Sequence, residues 1–303
     1  MSTSLDYALC ATCATQFPSA SQPIICPICE DPRQWVPASG QAWTTLRGLR
    51  DSAHRYRNVI EPNPHDPNMH FIRTLPSFSI SQRAILLFSS DGKSAVLWDC
   101  IPFIDDATVR DIKQLLGDRA LVAMVISHPH FYSTHVEWAE AFRCPVYLTT
   151  KDRPWVMRPA PTVQVFFDKD VLELAPGISV HRVGGHFDGS LVCAFESPTP
   201  SRNGKTALLV ADSIAVALSG IGERVRLQGT VSFTFMYSYP NMVPLTPDAV
   251  LHIWNAVKNI DFDVVHGGWD GRDVWTNARA KMLESAKIFV RSMGYTQHAM
   301  LEE

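Results

Sequence analysis

The stretch SHPHFYSTHVEW, residues 127–138, decides the fold, because it places three of the chain's eleven histidines within eight positions. It directly follows ALVAMVI, residues 120–126, an apolar run typical of a buried β-strand. Pro129 disfavours a helix here, so His128 and His130 lie two positions apart in an extended segment and point to the same side. The stretch therefore predicts that two imidazoles approach one metal ion, although no acidic residue lies among its histidines.

The second half of the stretch predicts the start of a helix. Thr134 and Glu137, in THVE, have the spacing of a capping box, so we expect a helix to begin at His135. The positive end of a helix dipole disfavours a protonated imidazole, and the neutral form is the one that a metal needs. His135 is therefore a candidate metal ligand or catalytic residue. The alternative is a solvated side chain in the first helical turn.

Three more apolar strands end close to a metal-capable residue. The runs ISVHRVGG, TALLVA and FDVV are followed by His186, Asp212 and His266. In α/β sheets, ligands gather beyond the carboxyl ends of strands. Each residue alone has an ordinary explanation, such as a hydrogen-bonded histidine or an aspartate that caps a helix or turn. Together with His128 and His130, they predict one metal site.

A second candidate metal site lies near the N-terminus, where four cysteines follow the pattern C-x2-C-x12-C-x2-C: Cys10, Cys13, Cys26 and Cys29. Two such pairs complete a closed tetrahedral zinc site, and the surrounding segment is too short and polar to bury a core without a metal. Two disulfides or unrelated thiols are the alternatives, and the lack of an export signal disfavours disulfides. The remaining cysteines stand in apolar contexts and are predicted to pack in the core: Cys100, Cys144 and Cys193.

Composition narrows the classes of function. The chain has 303 residues, 46% of them hydrophobic, and a net charge of −3. It has no basic cluster that would favour nucleic acid, and no apolar run of about 18 residues that would span a membrane. We expect a cytoplasmic protein with a small-molecule substrate and leave the oligomeric state open.

Alternating strands and helices predict α/β layers over most of the chain. DDATVRDIKQLLGD predicts a helix that stops at Gly117, and LTPDAVLHIWNAVKN predicts one capped by Thr246. We divide the chain into a zinc-ribbon-like module over 1–45, a linker with a short helix over 46–68, and a main domain over 69–303.

The main domain resembles the metallo-β-lactamase superfamily of metallo-hydrolases. The hallmark of that family is H-x-H-x-D-H after a strand, then a histidine in a glycine-rich turn, an aspartate after a strand and a last histidine. His128 and His130 match the first two histidines, and GGHFDGS resembles the turn that carries the third, here His186. Asp212 matches the aspartate and His266 the last histidine.

The resemblance implies a four-layer αββα sandwich with a metal site at one edge of the paired sheets. In the family, three histidines hold one ion, and the D-H pair with the last histidine holds a second. Here Tyr132 and Ser133 replace the D-H pair. We therefore expect a single strong metal ion, unless His135 replaces a lost ligand.

The implied activity is that of a metal-dependent hydrolase, which uses a metal-bound hydroxide to attack a small ester, lactone, lactam or thioester. Asp212 would complete the metal's coordination or orient the water, and Tyr132 would donate to an oxyanion or act as an acid, if it does not simply pack. Asp188 is a second candidate, and the aromatic segment 232–245 with Trp269 is a candidate substrate wall. We expect zinc in both sites. The alternatives are an iron or manganese oxygenase or decarboxylase, or a non-catalytic scaffold with an eroded site.

Overall fold

The computed structural model describes residues 3–199, 206–222 and 225–303, so the first two residues of the N-terminal segment lie outside the described residues. The N-terminal segment contains short elements only. They are β1 (Leu9–Cys10), which pairs antiparallel with β2 (Trp43–Thr44), and the helices α1 (Pro27–Glu30) and α2 (Leu46–Arg50).

The first large sheet has seven strands, which follow one another in sequence order. They are β3 (Arg57–Asn63), β4 (Asp66–Leu75), β5 (Ala84–Phe88), β6 (Ser94–Trp98), β7 (Ala120–Val125), β8 (Val146–Thr149) and β9 (Gln164–Phe167). Neighbours are antiparallel up to β6 and parallel from β6 to β9. The helices α3 (Asp106–Leu116) and α4 (His135–Phe142) connect the parallel strands.

The second large sheet has six strands in the order β10-β11-β12-β13-β18-β19. The elements of this half are β10 (Val171–Ala175), β11 (Ile178–Arg182), β12 (Leu191–Phe195), β13 (Thr206–Leu209), β14 (Ala215–Val216), β15 (Phe233–Thr234), β16 (Met236–Ser238), β17 (Val243–Pro244), α5 (Pro247–Val257), β18 (Phe262–His266), β19 (Asp273–Val274), α6 (Ala278–Ser292) and α7 (Ala299–Glu302). β14 pairs with β15 and β16 with β17 as separate short ladders.

Four layers result from the alternation of side chains along the strands. In the first sheet, Leu86 and Leu97 pack toward α3 and α4, whereas Leu87 and Val96 pack toward the second sheet. In the second sheet, Leu208 packs toward α5 and α6. The helix–sheet–sheet–helix order confirms the αββα sandwich that the resemblance implied.

Residues 57–68, which the sequence analysis placed in a linker, form strands of the first sheet instead. The three prolines of EPNPHDPN suggested broken structure, but β3 is an edge strand of its sheet. An edge strand tolerates proline because its outer N–H groups need no partner in the sheet. Pro62 pairs opposite His70 within this ladder.

The predicted helix termini are confirmed in part. Asp105 and Thr246 cap α3 and α5 through their side chains, and Gly117 ends α3 with a positive φ of 57°. α4 begins at His135 as expected, but the capping box does not form. The Thr134 hydroxyl donates to the carbonyls of residues 101 and 102 instead. Among the described residues, no helix combines the length and the apolar character needed to span a membrane.

Candidate metal centre

Four buried side chains from both sheets converge at one edge of the sandwich. His128 and His130 follow β7 of the first sheet, whereas His186 and Asp212 follow β11 and β13 of the second. One ligand atom from each lies within 4.8 Å of the others. We call these four residues the histidine cluster. The structure thus brings together four of the five residues that matched the family pattern.

The Asp212 carboxylate stands at the centre of the histidine cluster. Its Oδ2 lies 3.3 Å from Nε2 of His128, 3.6 Å from Nδ1 of His130 and 3.4 Å from Nε2 of His186. Two imidazole nitrogens, Nδ1 of His130 and Nε2 of His186, lie only 3.1 Å apart. Nitrogen atoms arranged in this way surround a space that a divalent cation fits.

Neighbouring groups orient two of the three imidazoles. Nδ1 of His186 donates to the carbonyl oxygen of Met236 at 3.1 Å, which leaves the Nε2 lone pair directed at the cluster. Nδ1 of His128 lies 2.9 Å from the Ser127 hydroxyl, so its Nε2 also faces the cluster. Hydrogen bonds of this kind fix the orientation of the imidazole ring and determine which of its nitrogens faces a metal.

The electrostatics of the cluster suit a cation. Burial lowers the pKa of His130 to about 4 and that of His186 to about 3, so both are neutral ligands at pH 7. Burial alone would raise the pKa of Asp212, but the imidazoles beside it, His128 foremost, hold that pKa well below its usual range. Nε2 of His128 and Oδ1 of Asp212 are buried without a hydrogen-bond partner in the described structure, and a bound ion would satisfy such atoms.

The four N-terminal cysteines form the second cluster. Their sulfurs lie within 4.8 Å of one another, with 3.6 Å between Cys10 and Cys29 and between Cys13 and Cys26. These separations are far longer than a disulfide bond, and all seven cysteines are free. Zinc–sulfur bonds of about 2.3 Å place the sulfurs of a tetrahedral site about 3.8 Å apart, which fits this cluster.

Gln41 supports the cysteine cluster from outside. Its Nε2 donates to Sγ of Cys10 at 3.2 Å, and its Oε1 accepts from the backbone N–H of Cys26 at 3.2 Å. Hydrogen bonds among the sulfurs, that with Cys13 foremost, hold the pKa of the Cys10 thiol far below its usual value. Burial raises the pKa of the Cys13 thiol instead, so the hydrogen bond from Gln41 is the feature that suits a thiolate ligand at Cys10.

Comparison with known proteins places the chain in a family. The chain is 35% identical over 290 residues to the uncharacterized protein YmaE of Bacillus subtilis (strain 168), a match that covers 95% of this chain and 97% of that protein. The chain belongs to the YmaE family. No family model matches it.

Solved structures show the fold of this YmaE-family chain. TMB-1 is 13% identical with a TM-score of 0.53, over 78% of this chain and 99% of that chain. VMB-1 is 11% identical with a TM-score of 0.50, over 77% of this chain and 98% of that chain. These matches show that the chain has the metallo-β-lactamase fold, which is the fold that the resemblance implied.

The structure places His266 apart from the histidine cluster of this YmaE-family chain. His266 is the last residue of β18, and strand alternation turns it into the space between the sheets, where it packs against Phe71. Its Nδ1 lies 2.7 Å from the Asp273 carboxylate, and its Nε2 lies 3.3 Å from Nδ2 of Asn63. Both ring nitrogens therefore have partners in the protein.

Tyr132 and His135 also lie outside the histidine cluster. Nδ1 of His135 contacts the carbonyl oxygen of Tyr132 at 2.7 Å, and its Nε2 contacts the amide nitrogen of Gln164 at 2.7 Å. Burial lowers the pKa of His135 to about 4. Tyr132 is part of the core under α3 and α4, where burial raises the pKa of its hydroxyl. Asp188 is exposed in the turn after His186.

Tyr239 is a functional candidate that the sequence did not single out. It lies in the predicted aromatic segment 232–245, and its ring centroid is 6.3 Å from that of His186. Burial, with the negative charge of Asp212, raises the pKa of its hydroxyl. The hydroxyl donates to the carbonyl oxygen of Thr234 at 3.3 Å. Nothing in the sequence separates Tyr239 from the other aromatic residues of its segment.

A cleft formed by two adjoining cavities leads to the histidine cluster. The larger cavity, of about 600 Å³, is lined mainly by small and apolar residues such as Ala211, Ala215 and Val216. The smaller cavity, of about 270 Å³, includes Asp212 in its wall. Tyr239 and Trp269 line both cavities. The cleft therefore joins a space large enough for a small molecule to the candidate metal ligands.

Proposed function

We propose that this chain is a metal-dependent hydrolase that acts on a small ester, lactone, lactam or thioester. The observation that carries the proposal is the histidine cluster itself, with four buried ligand atoms within 4.8 Å beside an open cleft. We assign one zinc ion to this cluster and a structural zinc ion to the four cysteines. His128, His130 and His186 would hold the ion in the histidine cluster, and the bound ion would supply a water molecule activated at neutral pH for attack on a carbonyl carbon.

Asp212 orients the reacting groups in this proposal. Its Oδ2 faces the three imidazoles, whereas its Oδ1 has no hydrogen-bond partner in the described structure. Because Oδ1 is a free acceptor, it can receive a hydrogen bond from a water molecule and direct the lone pair of that water toward the substrate. The carboxylate stays ionised, since the imidazoles hold its pKa low.

Tyr239 takes the role for which the sequence suggested Tyr132. Its hydroxyl retains its proton at neutral pH, because burial raises its pKa. The present bond to the Thr234 carbonyl is long, at 3.3 Å, so a substrate oxygen that gathers negative charge can replace it as the acceptor. Tyr239 lines the cleft, whereas Tyr132 is buried in the core.

Apolar packing supports a single ion in the main domain. The ring of Phe131 lies 4.6 Å from that of His128 and 5.5 Å from that of Trp269. A Cβ atom at Gly268 would lie 3.0 Å from the Phe131 ring, so this region is closely packed. The neighbouring His266 is bonded to Asp273. The D-H pair of the family pattern is also absent, so the residues expected around a second ion do not assemble.

The proposal is tested by metal content and turnover. The purified chain should contain two ions, and His128→Ala and His186→Ala should each lose one and reduce hydrolysis of p-nitrophenyl esters and thioesters by at least about a hundredfold. Elemental analysis and steady-state kinetics make the measurement, with His54→Ala, an exposed histidine outside both clusters, as the matched control.

The same measurement separates the other hypotheses. Iron or manganese instead of zinc in the histidine cluster, with no esterase activity, would favour an oxygenase or decarboxylase. A main domain that takes up no metal at all would overturn the hydrolase proposal and leave a binding or scaffold protein.

A further inference from the structure

The loops beside the cysteine pairs reach the cleft. We call residues 3–45 the cysteine module. Thr12 lies between the first two cysteines, and residues 33–35 follow the second pair. These residues line the smaller cavity together with Asp212 and Tyr239. The cysteine module therefore borders the same cavity as Asp212, a candidate ligand of the second metal. This position lets the module contact a molecule that binds in the cavity.

Arg33 joins the cysteine module to the histidine cluster. Its Nε and Nη2 donate to the Asp31 carboxylate at 2.6 and 2.9 Å. Its Nη1 donates to the backbone carbonyl oxygen of His186 at 3.2 Å, and its guanidinium carbon lies 3.7 Å from the centroid of the Phe187 ring. The side chain is only 13% exposed, so it forms a fixed link rather than a mobile surface contact.

The backbone around Arg33 is fixed by the segment that carries Tyr239. The Ser238 hydroxyl donates to the carbonyl oxygen of Arg33 at 3.3 Å. The side-chain amide of Asn241 donates to the carbonyl oxygens of Pro32 and Gln34, both at 3.0 Å. The loop after the second cysteine pair, Tyr239 and His186 are therefore held in one hydrogen-bonded unit.

The loop that carries the first cysteine pair is fixed as well. The Ser79 hydroxyl donates to the carbonyl oxygen of Thr12 at 2.7 Å. The backbone N–H of Gln16 donates to the carbonyl oxygen of Ser133 at 3.3 Å, so the module also contacts the segment in which the family pattern is altered. Both loops thus have defined positions relative to the cleft.

We propose that the cysteine module is a wall of the active-site cleft. Thr12 and Trp35 contact a ligand in the smaller cavity, and Arg33 is a positioning residue that holds the turn of His186. This proposal rests on the proposed function only in so far as the histidine cluster holds an ion that a small ligand reaches. The structural metal of the module therefore also determines the shape of the binding site.

The test uses the full chain loaded with Co²⁺, whose visible spectrum separates a thiolate site from an imidazole–carboxylate site. Two thiol ligands are titrated into it. Mercaptoacetate reports access to the ion, and 2-mercapto-3-phenylpropionate adds a ring that must occupy the cleft. Thr12→Phe places a ring in the smaller cavity, and Ser21→Phe places the same ring on an exposed part of the module that does not line the cavity.

Thr12→Phe should weaken binding of the phenyl-bearing thiol by about tenfold and leave mercaptoacetate within about twofold, because the added ring competes for the same space. Ser21→Phe should match the wild-type protein for both ligands. Before either thiol ligand is added, the thiolate band of both variants should match that of the wild-type protein, which shows that the module is folded. If Thr12→Phe and the wild-type protein bind the phenyl-bearing thiol equally well, the proposal that the cysteine module forms a wall of the cleft is overturned.

Arg33→Gln tests the positioning residue. It should weaken Co²⁺ retention in the histidine cluster by about tenfold without changing the thiolate band. Arg33→Lys should not rescue retention, because the single nitrogen of an ammonium group cannot span both the Asp31 carboxylate and the His186 carbonyl oxygen. Arg47→Gln is the matched control, since Arg47 forms an exposed ion pair with Asp6. Equal retention by Arg33→Gln and the control overturns this role. A wild-type chain without Co²⁺ in the histidine cluster overturns the hydrolase proposal and this inference together.

Discussion

The cysteine cluster and the histidine cluster are both buried and both suit a divalent ion, but they differ in what surrounds them. The four sulfurs complete a tetrahedron, so a metal there has no open position. The histidine cluster offers three imidazoles and a carboxylate with a free oxygen atom beside a cleft. From this difference we expect the cysteine cluster to stabilise the fold and the histidine cluster, which lies beside a cleft, to carry the proposed chemistry.

The largest expected effect comes from removing one ligand of each cluster. Four of the seven residues in the apolar core of the cysteine module are the cysteines themselves, so this small core depends on the metal that they would hold. Cys13→Ser should lower the free energy of unfolding by at least about 3 kcal/mol. His130→Ala should abolish turnover but change the free energy of unfolding by about 1 kcal/mol, since three other core clusters hold the main domain.

Chemical denaturation and elemental analysis of both variants make this comparison. Cys144→Ser, in a buried cysteine outside the cluster, controls for the loss of a thiol from the core. If Cys13→Ser were as stable as Cys144→Ser, the closed site would not be structural. If His130→Ala unfolded the chain, the histidine cluster would be needed for folding, and its proposed catalytic role would lose its support.

The candidate ligands that follow strands could be located from the sequence, because apolar runs and their ends are visible in it. His128, His186 and Asp212 all follow strands of the structure as expected. The orientation of His266 was not predictable, since the side to which a strand's last residue points depends on register. The strand at Arg57–Asn63 was not predicted, because it contains a proline. A proline is tolerated there because the strand lies at the edge of its sheet.

Residues that enter the site through tertiary contacts gave no local signal. Arg33 reaches His186 across 153 positions of the chain, and Tyr239 reaches the same histidine from another segment. Tyr132 was the nearest phenol in sequence, but its strand-to-helix connection turns it into the core. Proximity in the chain therefore led to a phenol that lies in the core, whereas strand ends led to three residues of the histidine cluster and to one residue, His266, that lies apart from it.

The second prediction compares two tyrosines as candidate hydrogen-bond donors in the proposed reaction. Tyr239→Phe should lower kcat for a p-nitrophenyl ester by about a hundredfold, because it removes the hydrogen-bond donor to the developing oxyanion. Metal content should not change, since Tyr239 is not a ligand. Tyr132→Phe is the matched control and should leave kcat unchanged, as its hydroxyl lies in the core. A loss of activity in Tyr132→Phe alone would restore the role that the sequence suggested for it.

The smallest effect concerns His266, whose place in the family pattern and whose place in the structure differ. His266→Gln should leave the number of bound ions at two and reduce the free energy of unfolding by about 1–2 kcal/mol, because it disturbs a buried hydrogen bond to the charged Asp273 carboxylate. Arg83 donates to the same carboxylate at 2.5 Å, and this bond limits the loss in the free energy of unfolding. Elemental analysis and denaturation measure both quantities. Loss of an ion from the main domain would make His266 a ligand, and the open site would then be larger than the four residues that the structure brings together.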